Sequence, residues 1–171
     1  GVLALVLGGI AYSIYRSTAK LKRAAFIREY VFPQGLLARL AEKRPQLTLK
    51  EQQLVTRGLR QFFLCNLMAK GAFVSMPSKA VDDLWHEFIL FTEDYSEFCE
   101  RYLGSYLHHS PMPSSQKNRH REFLEKKMPQ MPSDLESEWQ ETCRFVAKRL
   151  GGDTLKLWFQ DFPKRFPQFS A

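Results

Sequence analysis

Residues 77–104 read PSKAVDDLWHEFILFTEDYSEFCERYLG, and their spacing decides the fold class. Ser78 is a suitable N-cap and Gly104 a suitable stop. Between them Val81, Leu84, Trp85, Phe88, Phe91 (or Thr92), Tyr95, Phe98 and Tyr102 recur at three- and four-residue intervals. That period predicts one central helix over about 78–103. Its large side chains bury well, at about 25 cal/mol per Å² of apolar surface, so the helix should form the centre of a core.

The flanking sequence reads as more helices. Ala24 to Val31 continues a basic helix that stops near Phe32-Pro33, and Gln34 to Lys43 is a short amphipathic helix ending before Pro45. Thr48 and Glu51 have the spacing of a capping box, and the helix they start places Leu54, Val55, Leu59, Phe62, Phe63 and Leu67 on one face until Gly71. A later helix is expected over about Asp134 to Leu150, capped by Ser133 and stopped by Gly151-Gly152, then a short aromatic helix over Leu155 to Phe162. Residues 72–76 are too short for a confident strand, and 110–116 and 128–132 are loops by composition. The fold class is therefore all-α: an N-terminal membrane-anchor helix followed by a compact multi-helix domain.

Composition fits this. The 171 residues are 44% hydrophobic and 25% charged, enough for one core and unlike a disordered or collagen-like chain. Three cysteines, with no close pair, make neither a disulfide scaffold nor a zinc knuckle. Cys65, Cys99 and Cys143 each sit in an apolar helical context and read as small buried thiols.

The net charge of +7 raises nucleic acid as a partner, and its distribution argues against one. Residues 16–44 hold Arg16, Lys20, Lys22, Arg23, Arg28, Arg39, Lys43 and Arg44 against only Glu29 and Glu42, which leaves 17 bases and 16 acids over 45–171. A nearly neutral body has no general attraction for a phosphate backbone. The excess lies beside residues 2–15, VLALVLGGIAYSIY, which carry no charge. Fourteen helical residues span ~21 Å against a hydrocarbon layer of ~30 Å. The chain opens on Gly1 rather than Met, which leaves room for residues upstream and makes fourteen a lower bound. A signal peptide places its bases before the apolar run and a small-residue cleavage site after it; here the bases follow. A buried core helix seldom lacks a polar face and then turns abruptly basic. Residues 1–23 are thus read as an anchor with a basic flank, and 24–171 as a helical domain. Residues 2–15 would meet the lipid bilayer, with Tyr12 and Tyr15 at the interface and residues 16–171 on the cytoplasmic side.

The central helix also carries seven acids between Asp82 and Glu100 and no Lys or Arg, a run that reads as a solvated face. Within it Asp82 and His86 lie four residues apart, one above the other, so a carboxylate and an imidazole can touch. His108-His109 follows the Gly104 stop and is held extended by Ser110-Pro111. Adjacent residues in an extended stretch point in opposite directions, so only one of the two should converge on the helix. Asp82, His86 and His108 or His109 would give the two-nitrogen, one-carboxylate composition of open metal sites. A D-x-x-x-H pair is equally an ordinary hydrogen-bonded pair, and His120 reads as surface. A Cys–His nucleophile cannot form within this helix, because Cys99 lies nearly four turns from His86. Gly8-Gly9 lacks the context of a phosphate loop.

Met76 through Leu90, with Tyr95, Phe98-Cys99, Gly104 and His108-His109-Ser110-Pro111, resembles the D-x-x-W-H…Y…C…G…H-H pattern of the glycine-rich-domain-containing protein family, in its compact bacterial form. The resemblance covers about residues 50–111. It implies an all-helical domain without a firmly assigned activity, with Asp82, Trp85, His86, Tyr95, Cys99 and His108 or His109 acting as a unit, and His109 is the one placed in a structural polar cluster. The expected location is the bacterial inner membrane, single-pass, with the helical domain in the cytoplasm. Phe88 replaces the second His of the W-H-x-H form, and the glycine-rich tail is absent.

Two functions follow. One is a single-pass, cytoplasm-facing helical interaction or scaffold module with an unidentified protein partner, in which the Asp/His cluster is a structural polar knot. The other is a membrane-tethered metalloprotein, an enzyme in its fullest form, that holds Zn²⁺ or Fe²⁺ on Asp82, His86 and His108 or His109.

Overall fold

The computed structural model describes residues 1–69, 74, 76, 78–109, 148 and 152–161. Among the described residues there is no strand. The elements are α1 (Val2–Glu29), α2 (Leu36–Lys43), α3 (Leu49–Ala69), α4 (Lys79–Leu90), α5 (Thr92–Phe98) with a π turn over Cys99–Leu103, and α6 (Gly152–Lys156) with a second π turn over Leu157–Asp161. Of the helix expected over Asp134 to Leu150 only Lys148 is described, and it is helical. Gly71 and both composition-based loops lie outside the described residues. Gly152 opens α6, and the expected stop at Gly151 lies outside the described residues.

Helix α1 has two halves. Residues 2–18 are all exposed, whereas Ala24 and Ile27 are buried against the body. The helix is long and apolar enough to cross a membrane, and its apolar window buries nothing in the protein. The basic half caps other helices. Lys20 Nζ donates to the Met68 carbonyl at the end of α3 at 3.5 Å, and the Arg23 guanidinium lies where a Cβ on Gly104 would be, 2.5 Å from Nη1. Cations at helix C-termini are favourable, because unpaired carbonyls make those ends partly negative. Gly104 has φ +88°, a backbone shape that suits glycine, and its N–H closes the π turn on the Cys99 carbonyl at 2.8 Å.

Helix α3 forms as its sequence requires. The Thr48 N–H donates to Glu51 Oε2 at 2.8 Å while the Glu51 N–H reaches back to Thr48 Oγ1 at 3.3 Å, a reciprocal cap. Val55, Leu59, Phe62 and Phe63 from its apolar face are buried, and Leu54 and Leu67 pack at the edge. Buried Gln61 accepts from Trp158 Nε1 at 2.9 Å and donates to Thr154 Oγ1 at 3.0 Å, which docks the α6 segment on α3.

The single helix expected over 78–103 is divided. Ser78 does cap α4, accepting from the Val81 N–H at 3.0 Å. Phe91, however, leaves helical geometry at φ −81°, ψ 67° and serves both as the end of α4 and as the start of α5. The break is driven by packing, since no Gly or Pro lies there. In a straight helix Phe88 and Phe98 would be ~15 Å apart along the axis. Their ring centroids are 5.6 Å apart, with Phe63 4.7 Å from Phe98 and 6.2 Å from Phe88. Folding back at Phe91 brings both halves of the aromatic stripe onto one centre, where edge and tilted ring contacts add to area burial.

Candidate functional site

Helix α4 has two polar faces with different duties. On one, Asp83 and Glu87 are buried and meet the bases of α2: Arg44 Nε to Asp83 Oδ2 at 2.7 Å, Arg39 Nε to Glu87 Oε2 at 2.6 Å and Lys43 Nζ to Glu87 Oε1 at 3.3 Å. These two acids are not part of a solvated face, as the sequence suggested. The available signal was the matching spacing of Arg39, Lys43 and Arg44 with Asp83 and Glu87, four residues apart on each helix, so that the charged rows can run side by side.

On the other face lie Asp82 and His86. The His86 Nδ1 is 2.8 Å from the Asp82 backbone carbonyl and 3.5 Å from Asp82 Oδ1, so the closer partner is the carbonyl rather than the carboxylate. A carbonyl only accepts, so this contact assigns the proton to Nδ1 and leaves Nε2 with the lone pair. Lys79 Nζ donates to Asp82 Oδ2 at 2.8 Å and also reaches Asp83 Oδ1 at 3.1 Å. Burial works against ionisation of Asp82, but the hydrogen bonds from Lys79 and His109, with the charge of Lys79, outweigh it and hold the carboxyl below its ordinary range. Burial likewise disfavours the Lys79 ammonium, and bonding to Asp82 and Asp83 more than compensates.

The stretch after Gly104 brings in the third member. His109 Nε2 lies 3.0 Å from Asp82 Oδ1, and its ring packs 4.1 Å from that of His86 and 4.5 Å from that of Trp85, centroid to centroid. His108 is exposed and faces the Tyr106 ring at 4.8 Å. Of the two histidines, the backbone alternation thus selects His109, and His108 does not belong to the cluster.

A second row of groups fixes this stretch from beneath. Trp85 Nε1 donates to Tyr95 Oη at 3.1 Å, and Tyr95 Oη donates to the Leu107 carbonyl at 2.6 Å. Tyr95 is fully buried, and burial, reinforced by neighbouring Cys99, pushes its phenol well above the usual value. Burial also raises the Cys99 thiol, with a hydrogen bond from the Leu107 backbone pulling the other way. Cys99 is therefore a packed thiol and not a nucleophile. Asp82, His86 and His109 each offer one ligand atom, and the three atoms lie within 4.8 Å of one another. All three residues are partly exposed, so the cluster sits at the surface over a rigid floor.

A family model described as UCP032817-like matches residues 22–144, most of the chain, and the chain belongs to that family. No curated protein and no solved structure matches it. The match overturns the resemblance to glycine-rich-domain-containing proteins. The D-x-x-W-H…H-H run is short, and a short run does not discriminate between families.

Proposed function

We propose that the protein is a membrane-anchored helical module that holds a compact head at the bilayer surface for a protein partner. One observation carries this reading: residues 2–18 of α1 are exposed along their whole length while the same unbroken helix buries Ala24 and Ile27 in the body. Among the described residues such a rod has no apolar partner, and a hydrocarbon layer would supply one. Arg16 lies 5.8 Å over the Tyr12 ring, a pairing suited to the headgroup level, where aromatic rings and snorkelling bases both reside. The basic residues that follow favour retention of the head on the cytoplasmic side. In this reading the Asp82, His86 and His109 cluster ties the 104–109 stretch to α4 and gives the head a fixed polar face.

Membrane fractionation tests the anchor. The full chain should remain in the pellet through alkaline carbonate extraction, and Leu5→Arg combined with Leu7→Arg should release it. A C-terminal reporter should be reachable from the cytoplasmic side only. Recovery of the unaltered chain in the soluble fraction defeats the reading.

A further inference from the structure

We propose that Asp82, His86 and His109 form a binding site for a divalent first-row transition-metal ion, with solvent completing the coordination sphere. The inference goes beyond the anchoring role and does not depend on it, because the site lies on α4 and the 104–109 stretch.

The donor geometry is close to what such an ion needs. In a tetrahedral sphere with metal–ligand bonds of ~2.0 Å, neighbouring ligand atoms are ~3.3 Å apart. Asp82 Oδ1 is 3.0 Å from His109 Nε2, close to that edge. All three residues can present a ligand atom within 4.8 Å of the other two. His86 has 42% of its side chain exposed, which leaves solvent access to the site. Two imidazoles and one carboxylate suit Zn²⁺, Fe²⁺ or Co²⁺ better than the hard cations Ca²⁺ and Mg²⁺, which prefer oxygen.

The surroundings of the donors favour the same use. Lys79 occupies Asp82 Oδ2 and leaves Oδ1 turned toward both rings, which presets the carboxylate for monodentate binding. The His86 Nδ1–H donates to the Asp82 carbonyl, which leaves Nε2 for a ligand, the orienting role that outer groups play for metal-bound histidines. Trp85 supports the His109 ring, and the Trp85–Tyr95–Leu107 hydrogen-bond chain fixes the backbone from which His109 projects. A polar knot needs only the contact between Asp82 and His109. It does not need a second imidazole 4.1 Å from the first, half in solvent, with a nitrogen left for a ligand. Binding shifts the His109 proton from Nε2 to Nδ1, so the ring remains neutral while the cation takes the place of the shared hydrogen.

Calorimetric titration of Zn²⁺ into the full chain tests this, with the protein untagged, in mild detergent and stripped with a chelator. One saturable equivalent is expected. His86→Gln and His109→Gln should each weaken it by about 100-fold or more, and His108→Gln should leave it unchanged. Because His86 is half exposed, His86→Gln should retain the circular-dichroism spectrum and melting temperature of the metal-free protein, which separates loss of a ligand from loss of the fold. Co²⁺ should give visible d–d absorption in the parent and not in His86→Gln. Absence of saturable binding overturns the proposal, as does binding that survives both substitutions or is abolished by His108→Gln. None of these results bears on membrane extraction, so the two readings fail separately.

Discussion

Arg44 Nε donates to Asp83 Oδ2 at 2.7 Å, and only 13% and 8% of the two side chains remain exposed. This pair is the dry centre of the ionic seam between α2 and α4, with Lys43 and Lys79 reaching Asp83 Oδ1 at 3.8 and 3.1 Å. Desolvation and attraction nearly cancel while both partners are present. Removing one leaves a charge in a poorly hydrated place.

Asp83→Ala should therefore destabilise the head by about 3 kcal/mol in urea unfolding followed by circular dichroism. Arg44→Met with Asp83→Leu should lose much less than the sum of the two single changes, because no orphaned charge remains between them. Strictly additive losses would show that the two side chains do not act as a pair.

Tyr95→Phe removes one hydroxyl and leaves two groups without it, the Trp85 N–H and the Leu107 carbonyl. Each buried orphan costs about 1–3 kcal/mol. Because Leu107 is only partly buried, a total loss of about 2–3 kcal/mol is expected. The released 104–109 stretch should also exchange its amide hydrogens faster, while the capped start of α3 does not change. Equal acceleration everywhere would mean that Tyr95 supports the whole fold and not this stretch.

How much of this was legible in the sequence depended on the range of the interaction. The Thr48–Glu51 cap, the Ser78 cap, the buried face of α3 and the neighbouring of Asp82 and His86 are all settled within one or two helical turns, and each reads directly from spacing. The break at Phe91 is not of that kind. Its φ and ψ are set by the pull of Phe63 on Phe88 and Phe98, residues far apart in the chain, and no local breaker marks it. The burial of Asp83 and Glu87 depends on bases about forty residues upstream, so a run of acids without its partners looks solvated. That one of His108 and His109 faces Asp82 was deducible. Which one depended on the π turn and on Gly104, whose positive φ sets the phase of the stretch. Gln61 reads as an ordinary polar residue of α3 until Trp158 and Thr154 arrive from the far end of the chain.

The same seam should respond to acid. Burial opposes ionisation of Glu87, yet its hydrogen bonds to Arg39 and Lys43 hold the carboxyl below its ordinary range. A folded-state value below the unfolded one, ~4.3 for glutamate, means that the pair stabilises the protein above that pH. The contribution is lost as pH falls through the depressed value. The stability difference between the parent and Glu87→Gln should thus be full at about pH 7 and shrink progressively as pH falls below ~4.3. Denaturant midpoints across this range would show it. A difference that grows on acidification would reverse the sign assigned to Glu87.

Cys65 lies on the buried face of α3 with no exposed surface, and burial pushes its thiol up to about 12. At pH ~8 the thiolate of such a group is of order one part in 10⁴, and the thiolate is the nucleophile. Alkylation by iodoacetamide must therefore wait for the helix face to open. If opening and closing are fast relative to alkylation, the labelling rate at Cys65 follows the equilibrium population of the open form. Peptide mass spectrometry should find Cys65 and Cys99 almost unlabelled in the folded protein. Asp83→Ala, destabilised by about 3 kcal/mol, should raise both rates by roughly two orders of magnitude if opening is global. An increase at Cys99 alone would place the weakness in the π turn and leave α3 closed. Rapid labelling of Cys65 in the parent would show that the aromatic centre around Phe63 does not hold α3 and α4 together as the ring contacts imply.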